Sequence, residues 1–150
     1  MSNQAISIVC LLVLSACSSV QGAAPGKIGI PGIGQSTTVI VGCLNQEKSA
    51  ADFDQAGAEV FPVPDGVVVT HNVIHACCLS GAVSSSIEGN LVTISERLTG
   101  EPCKCECPST LRTAVGLAPG PWVIQLRLEK PNAPAQIVQE WDVTVAAPQP

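Results

Sequence analysis

Tyrosine is absent from these 150 residues, and rings of any kind are scarce: Phe53, Phe61, Trp122 and Trp141. Platforms that stack sugars or aromatic ligands are therefore poorly supplied, and the core must be packed from Val, Ile, Leu and Ala. Basic side chains are few too, 7 Lys and Arg against 12 Asp and Glu, for a net charge of −5. Nucleic acid is bound by basic patches, so this balance argues against it as a partner. The same balance argues against adhesion to anionic lipid by charge. No apolar run reaches the roughly 20 residues of a spanning helix. Also missing are a Gly-rich phosphate loop, a Gly-x-Ser-x-Gly elbow and His-Glu-x-x-His. Glu47, Asp52 and Asp54 are acidic neighbours, but they lack the Asp-x-Asp-x-Asp-Gly order of a calcium loop and read as a solvated loop. Glu101 and Glu106 read as solubilising groups beside the cysteines, and Ser84 to Ser86 has no base near it in sequence. The expectation is a non-enzyme.

What the chain does have is β-branched runs punctuated by turn residues. Thr37 to Cys43 reads as a strand, and Asn45 to Ala58 as a long loop or one short helix. Pro62 and Pro64 read as breaks, after which Gly66 to Cys78 is one long extended run. Ala82 to Ile87 and Leu91 to Leu98 flank Glu88-Gly89-Asn90, a tight hairpin turn. Leu111 to Val115 and Trp122 to Leu128 flank a second turn at Gly116 to Gly120. In the latter strand Trp122, Ile124, Leu126 and Leu128 share one face; Ile137 to Val145 places Trp141, Val143 and Val145 likewise. About seven short strands with regular turn signals predict an all-β antiparallel sandwich.

Two resemblances sharpen this reading. Leu14-Ser15-Ala16-Cys17 ends an uncharged apolar run beginning at Ala5, too short to span a bilayer and about the length of a signal segment. The competing reading of that run is a buried apolar helix. The four residues resemble the lipobox of bacterial lipoproteins. That resemblance implies cleavage before Cys17, a diacylglycerol thioether and an N-acyl chain on Cys17, and a membrane-anchored protein of the bacterial envelope. Ser18 is compatible with outer-membrane sorting in that family. Ser18 to Ser36 is rich in Gly, Ser, Pro and Ala, a flexible tether. Further on, Gly116-Leu117-Ala118-Pro119-Gly120-Pro121-Trp122 resembles the Gly-Leu-x-Pro-Gly-x-Tyr corner of fibronectin type III and related immunoglobulin-like modules, with Trp122 at the Tyr position. It implies an immunoglobulin-like sandwich and names no ligand.

Eight cysteines, less Cys10 in the signal segment and the lipidated Cys17, leave an even six: Cys43, Cys77, Cys78, Cys103, Cys105 and Cys107. In an exported domain these predict a disulfide framework, each bridge contributing roughly 2–4 kcal/mol. Adjacent Cys77 and Cys78 would face opposite ways in an extended strand and so bond to different partners. The preferred arrangement joins them to the Cys103 to Cys107 cluster and gives Cys43 the remaining thiol. Pro102 and Pro108 bracket that cluster and predict an irregular edge or loop. The Cys-Cys and Cys-x-Cys-x-Cys pattern is also similar to that of other small bacterial envelope proteins.

A metal or thiol-redox reading, using His75, Cys77, Cys78 and the three clustered cysteines, competes. His71, Val73, His75 and Cys77 fall on one strand face, and His75, Cys77, Cys103, Cys105 and Cys107, with Cys78 beside them, form a Cys/His set suited to zinc or cuprous copper. Against it, thiols two apart on a strand are roughly 7 Å apart at Cα, wide for one ion. The two histidines are expected at the surface or a strand edge. The expected organisation is a signal peptide over 1–16, a lipidated tether over 17–36, a disulfide-braced sandwich over 37–147 and a tail over 148–150. The expected role is a non-catalytic structural or binding module, tethered to membrane and engaging another envelope protein.

Overall fold

The computed structural model describes residues 28–45 and 56–147. The signal segment, Cys10, Cys17, Glu47, Asp52, Asp54 and the tail lie outside the described residues. Among the described residues eight strands run in chain order: β1 Ser36–Gly42, β2 Gly57–Val63, β3 Gly66–Ala76, β4 Ser80–Glu88, β5 Leu91–Thr99, β6 Glu106–Gly116, β7 Gly120–Glu129 and β8 Gln136–Val145. A short 3-10 turn, Cys43–Asn45, follows β1. The strands form two four-stranded sheets, in spatial order β1-β6-β3-β2 and β4-β5-β7-β8.

The all-β expectation holds, with two corrections. Pro62 does not break the chain, because β2 runs through it as an edge strand. A proline lacks only an N–H, and on the outer side of an edge none is needed. Nor is every pair antiparallel: β5 and β7 are parallel, Leu91 opposite Val123 through Arg97 opposite Glu129. Parallel neighbours need a long crossover. Here β6 supplies it, leaving the second sheet after β5, crossing the first sheet and returning at Gly120. Two reversals of direction make β7 point the way β5 does.

The period-2 patterns build one shared interior. Val67 and Val69 from β3 and Val115 from β6 pack against Val92 and Ile94 from β5, Ile124 and Leu126 from β7, and Val143 and Val145 from β8. A second cluster, Leu44, Val73, Leu79, Leu98, Leu111 and Leu128, fills the other half. The sheets are also linked at one side by the Ser85 hydroxyl donating to that of Ser36 at 2.7 Å.

This topology gives the sandwich two distinct ends. At one lie the Pro64-Asp65 turn, the Gly89-Asn90 turn, the β6–β7 connection, the start of β1 and the finish of β8. The stretch read as the last part of the tether docks there. Gly34 N–H donates to the Gly116 carbonyl at 2.9 Å, and Gly116 N–H donates to the Gln35 carbonyl at 3.0 Å. A Cβ at Gly116 would overlap the carbonyl oxygens of Pro31 and Gly32, so glycine is what allows this approach. All the described cysteines gather at the opposite end.

Candidate functional site

The strand register explains how the cysteines meet. His75 of β3 stands opposite Cys107 of β6, so Cys77, two residues on, stands opposite Cys105. Cys77 N–H donates to the Cys105 carbonyl at 3.2 Å, extending the ladder by one bond. On the other side of β6, Gly42 faces Ser109, which carries Cys43 to Cys107. The bridges are Cys43–Cys107, Cys77–Cys105 and Cys78–Cys103, with Cα separations of 6.2, 5.6 and 6.0 Å. The adjacent pair thus bonds into the cluster and Cys43 takes the remaining partner.

Two local expectations are corrected. Cys77 and Cys78 are not in a strand, since β3 ends at Ala76 and the pair forms a turn closed by Leu79 N–H to the Ala76 carbonyl, 3.1 Å. Cys107 and Pro108 are not in a loop. They open β6, an interior strand, where Pro108 sits opposite Ile74. Pairing with β1 begins only at Ser109, so the β1 ladder never calls on the missing proline N–H. Of the three clustered cysteines, Cys103 and Cys105 lie outside a strand.

The three bridges differ in exposure. Cys107 is buried and Cys43 half-buried, whereas Cys78 and Cys105 are exposed. The sulfurs of Cys78, Cys103 and Cys105 all lie within 4.8 Å of one another. Cys103 Sγ is 3.3 Å from Cys105 Sγ, although the two belong to different bridges. A groove of about 500 Å³ runs beside them, its lining including Leu79, Leu98, Lys104, Glu106 and Lys130.

Both histidines are buried, at 5% and 6% exposure, which corrects the surface placement. Each occupies an inward position of β3, where its polar atoms need partners. His75 Nδ1 is 2.9 Å from the Ala76 carbonyl, which can only accept, so Nδ1 carries the proton. In the neutral ring Nε2 then accepts from the Ser109 hydroxyl at 2.8 Å, and that oxygen accepts Leu44 N–H at 3.1 Å. The chain of bonds locks the turn after β1 onto β3 and β6. Ser109 is fully buried, while His75 borders the groove, so the pair forms a strut beneath it.

His71 pairs instead across the sandwich, its Nδ1 2.5 Å from Glu96 Oε2 of β5. The sequence reading missed Glu96, Ser109 and Thr113, all buried. Glu96 had a signal: Val92, Ile94, Glu96 and Leu98 share one strand phase, and a charge in an apolar phase asks for a buried partner. Among the described residues no buried side-chain nitrogen or oxygen lacks a partner.

The remaining candidates disperse. Ser84 and Ser95 face each other on the outer side of the second sheet near Arg97 and Arg127, away from either histidine. Arg97 is bonded to Glu129 at 2.7 Å, and Arg127 to the Gln125 side chain at 2.6 Å. Glu101 and Glu106 are exposed beside the cysteines. At the corner, the Trp122 indole N–H donates to the Ala118 carbonyl at 2.9 Å, closing the β6–β7 turn.

Comparison with protein-family models, with curated proteins and with solved structures finds no match.

Proposed function

We propose that this chain is a lipid-anchored, non-catalytic module of a bacterial envelope, held to the membrane through acylated Cys17 and binding another envelope protein. One observation carries the reading: the chain enters the sandwich at one end, and the disulfide-braced connections lie at the other. A domain held by its N-terminus presents its far end to whatever lies beyond the membrane. β6 alone, at 11 residues, sets the two ends roughly 35 Å apart. Three bridges fit an oxidising compartment, where the lipobox resemblance also sends the chain.

We read the sandwich as an immunoglobulin-like variant. The Trp122 hydrogen bond to Ala118 supports this, because those modules close the same corner with a ring donor. The parallel β5–β7 pair is its departure from them.

The test is mass analysis of the natively exported protein. A first residue of Cys17 carrying diacylglycerol and an N-acyl chain is expected, with Cys17→Ser released from the membrane fraction. A chain that retains residues 1–16, or a free Cys17 thiol, overturns the anchor. Photo-crosslinkers placed at Lys104 and at Glu59 test the binding role. Capture of one envelope protein from Lys104 but not from Glu59 is expected, and equal capture from both overturns it.

The zinc or copper reading draws on the same close sulfurs, Cys78, Cys103 and Cys105. It requires thiolates, and so requires the bridges to open. Stoichiometric metal with four or more free thiols in the exported protein would establish it in place of bracing.

A further inference from the structure

We propose that the two exposed bridges form a thiol–disulfide exchange site that accepts two electrons from a dithiol, entered at Cys78 and relayed through Cys103 to Cys105. This goes beyond the anchored-module reading and does not rest on it.

Exposure limits the entry point to Cys78 or Cys105, and the sulfur contacts choose between them. Cys78 is exposed, while its partner Cys103 is half-buried, so an incoming thiolate meets Cys78 Sγ first. Attack there forms a bond between the incoming sulfur and Cys78, and breaks Cys78–Cys103. The electron pair leaves on Cys103 Sγ. That thiolate already sits 3.3 Å from Cys105 Sγ. Its attack forms Cys103–Cys105, breaks Cys77–Cys105 and leaves Cys77 as a thiolate. The second thiolate of the dithiol then attacks its own sulfur-bound partner, displacing Cys78. The dithiol departs as a disulfide, and this chain holds Cys103–Cys105 with Cys77 and Cys78 as thiols, which take up the two protons.

Entry at Cys105 would release Cys77, whose sulfur lies outside the mutually close set of Cys78, Cys103 and Cys105, whereas entry at Cys78 releases Cys103 in contact with Cys105. The groove that Cys103 and Cys105 line also carries Lys104 and Lys130, with Glu106 as the one acidic lining residue, a balance of charge that favours the Cys103 thiolate. The buried Cys43–Cys107 bridge stands apart from this cluster.

Connectivity makes the entry bridge dispensable. Cys78–Cys103 closes a sequence separation of 25 nested inside the 28 of Cys77–Cys105. Once the outer bridge is closed, the inner one restricts the unfolded chain very little. The first opening therefore costs little while the outer bridge is still closed, and the relay then exchanges that outer bridge for a Cys103–Cys105 link one sulfur contact away.

The test treats the intact oxidised protein with one equivalent of dithiothreitol, alkylates free thiols and maps the peptides. Alkylation at Cys77 and Cys78 is expected, with a Cys103–Cys105 link joining the two peptides produced by cleavage after Lys104, and with Cys43–Cys107 intact. Alkylation at Cys78 and Cys103 means simple reduction without relay and overturns the proposal. So does alkylation at Cys77 and Cys105, opening of all three bridges at one rate, or no opening.

Discussion

Glu96 and His71 meet across the two sheets, Oε2 to Nδ1 at 2.5 Å, at the level where the two apolar clusters of the core abut. On β3 the clusters are represented by Val69 and Val73 on either side of His71, and on β5 by Ile94 and Leu98 on either side of Glu96. Thr113 of β6, bonded to Thr38 at 3.0 Å, adds a further buried polar residue to the interior. This polar layer costs desolvation and repays it through pairing, so its net effect is small while its sensitivity to a missing partner is large. It also pins register, because sliding either strand by one residue turns its polar side chain to the outside.

Glu96→Ala is therefore expected to cost about 3–5 kcal/mol, by stranding His71 in the interior. Replacing both partners with apolar residues of similar bulk, His71→Leu with Glu96→Met, is expected to recover most of that loss. Urea unfolding with the bridges intact measures both. If the double variant loses as much as the two single losses added together, the pair is not coupled and the account fails.

The bridges should differ in worth by their nesting. Cys43–Cys107 spans 64 residues and closes the largest loop, so Cys43→Ser with Cys107→Ser is expected to cost about 4 kcal/mol. Cys78→Ser with Cys103→Ser removes a bridge nested within another and is expected to cost under about 1 kcal/mol. Thermal unfolding of the two double variants ranks them, and equal losses would show that nesting is irrelevant here.

Strand identity was legible wherever one face alternates apolar and polar, as in β7 and β8, because period 2 is written directly in the residues. The bridging of Cys77 and Cys78 to separate partners within the Cys103 to Cys107 cluster followed from adjacency and from the even thiol count. What stayed illegible depended on partners distant in sequence. Pro62 is tolerated because β2 is an edge, and Pro108 because it precedes the first β1–β6 pair; neither fact can be read locally. The parallel β5–β7 contact follows from β6 changing sheets, a choice made by packing rather than by any residue pattern. The buried histidines were misplaced because an inward imidazole and an edge imidazole look alike until Glu96 and Ser109 arrive from other strands.

Ser109 joins three segments through one hydroxyl: Leu44 N–H, the His75 ring and its own place in β6. Ser109→Ala leaves a buried donor and a buried acceptor without partners, at an expected cost of about 2–3 kcal/mol. Hydrogen exchange at the Leu44 amide should accelerate while that at Val69, deep in the other cluster, does not. Thr110→Ala serves as the control. Its hydroxyl reaches the Asn72 side chain at 2.8 Å from a half-buried position, and its loss should cost under about 1 kcal/mol. A larger loss for Thr110→Ala than for Ser109→Ala would contradict the strut.

The Trp122 corner is tested by separating its ring from its donor. Trp122 packs against the first core cluster and also bonds to Ala118, four residues back, across the turn that returns the chain to the second sheet. Trp122→Phe keeps a ring but leaves the Ala118 carbonyl without this donor, and is expected to cost about 1 kcal/mol beyond the change in packing. Trp122→Tyr restores a donor of the kind that immunoglobulin-like modules place at this corner. If the turn here is the same device, the Tyr variant should be more stable than the Phe variant by about 1 kcal/mol, and amide exchange across 116–120 should stay slow. Equal stability of the two variants would mean that the indole reaches Ala118 from a geometry that a phenol cannot share. The immunoglobulin-like reading of the corner would then fall, although the two-sheet fold would stand.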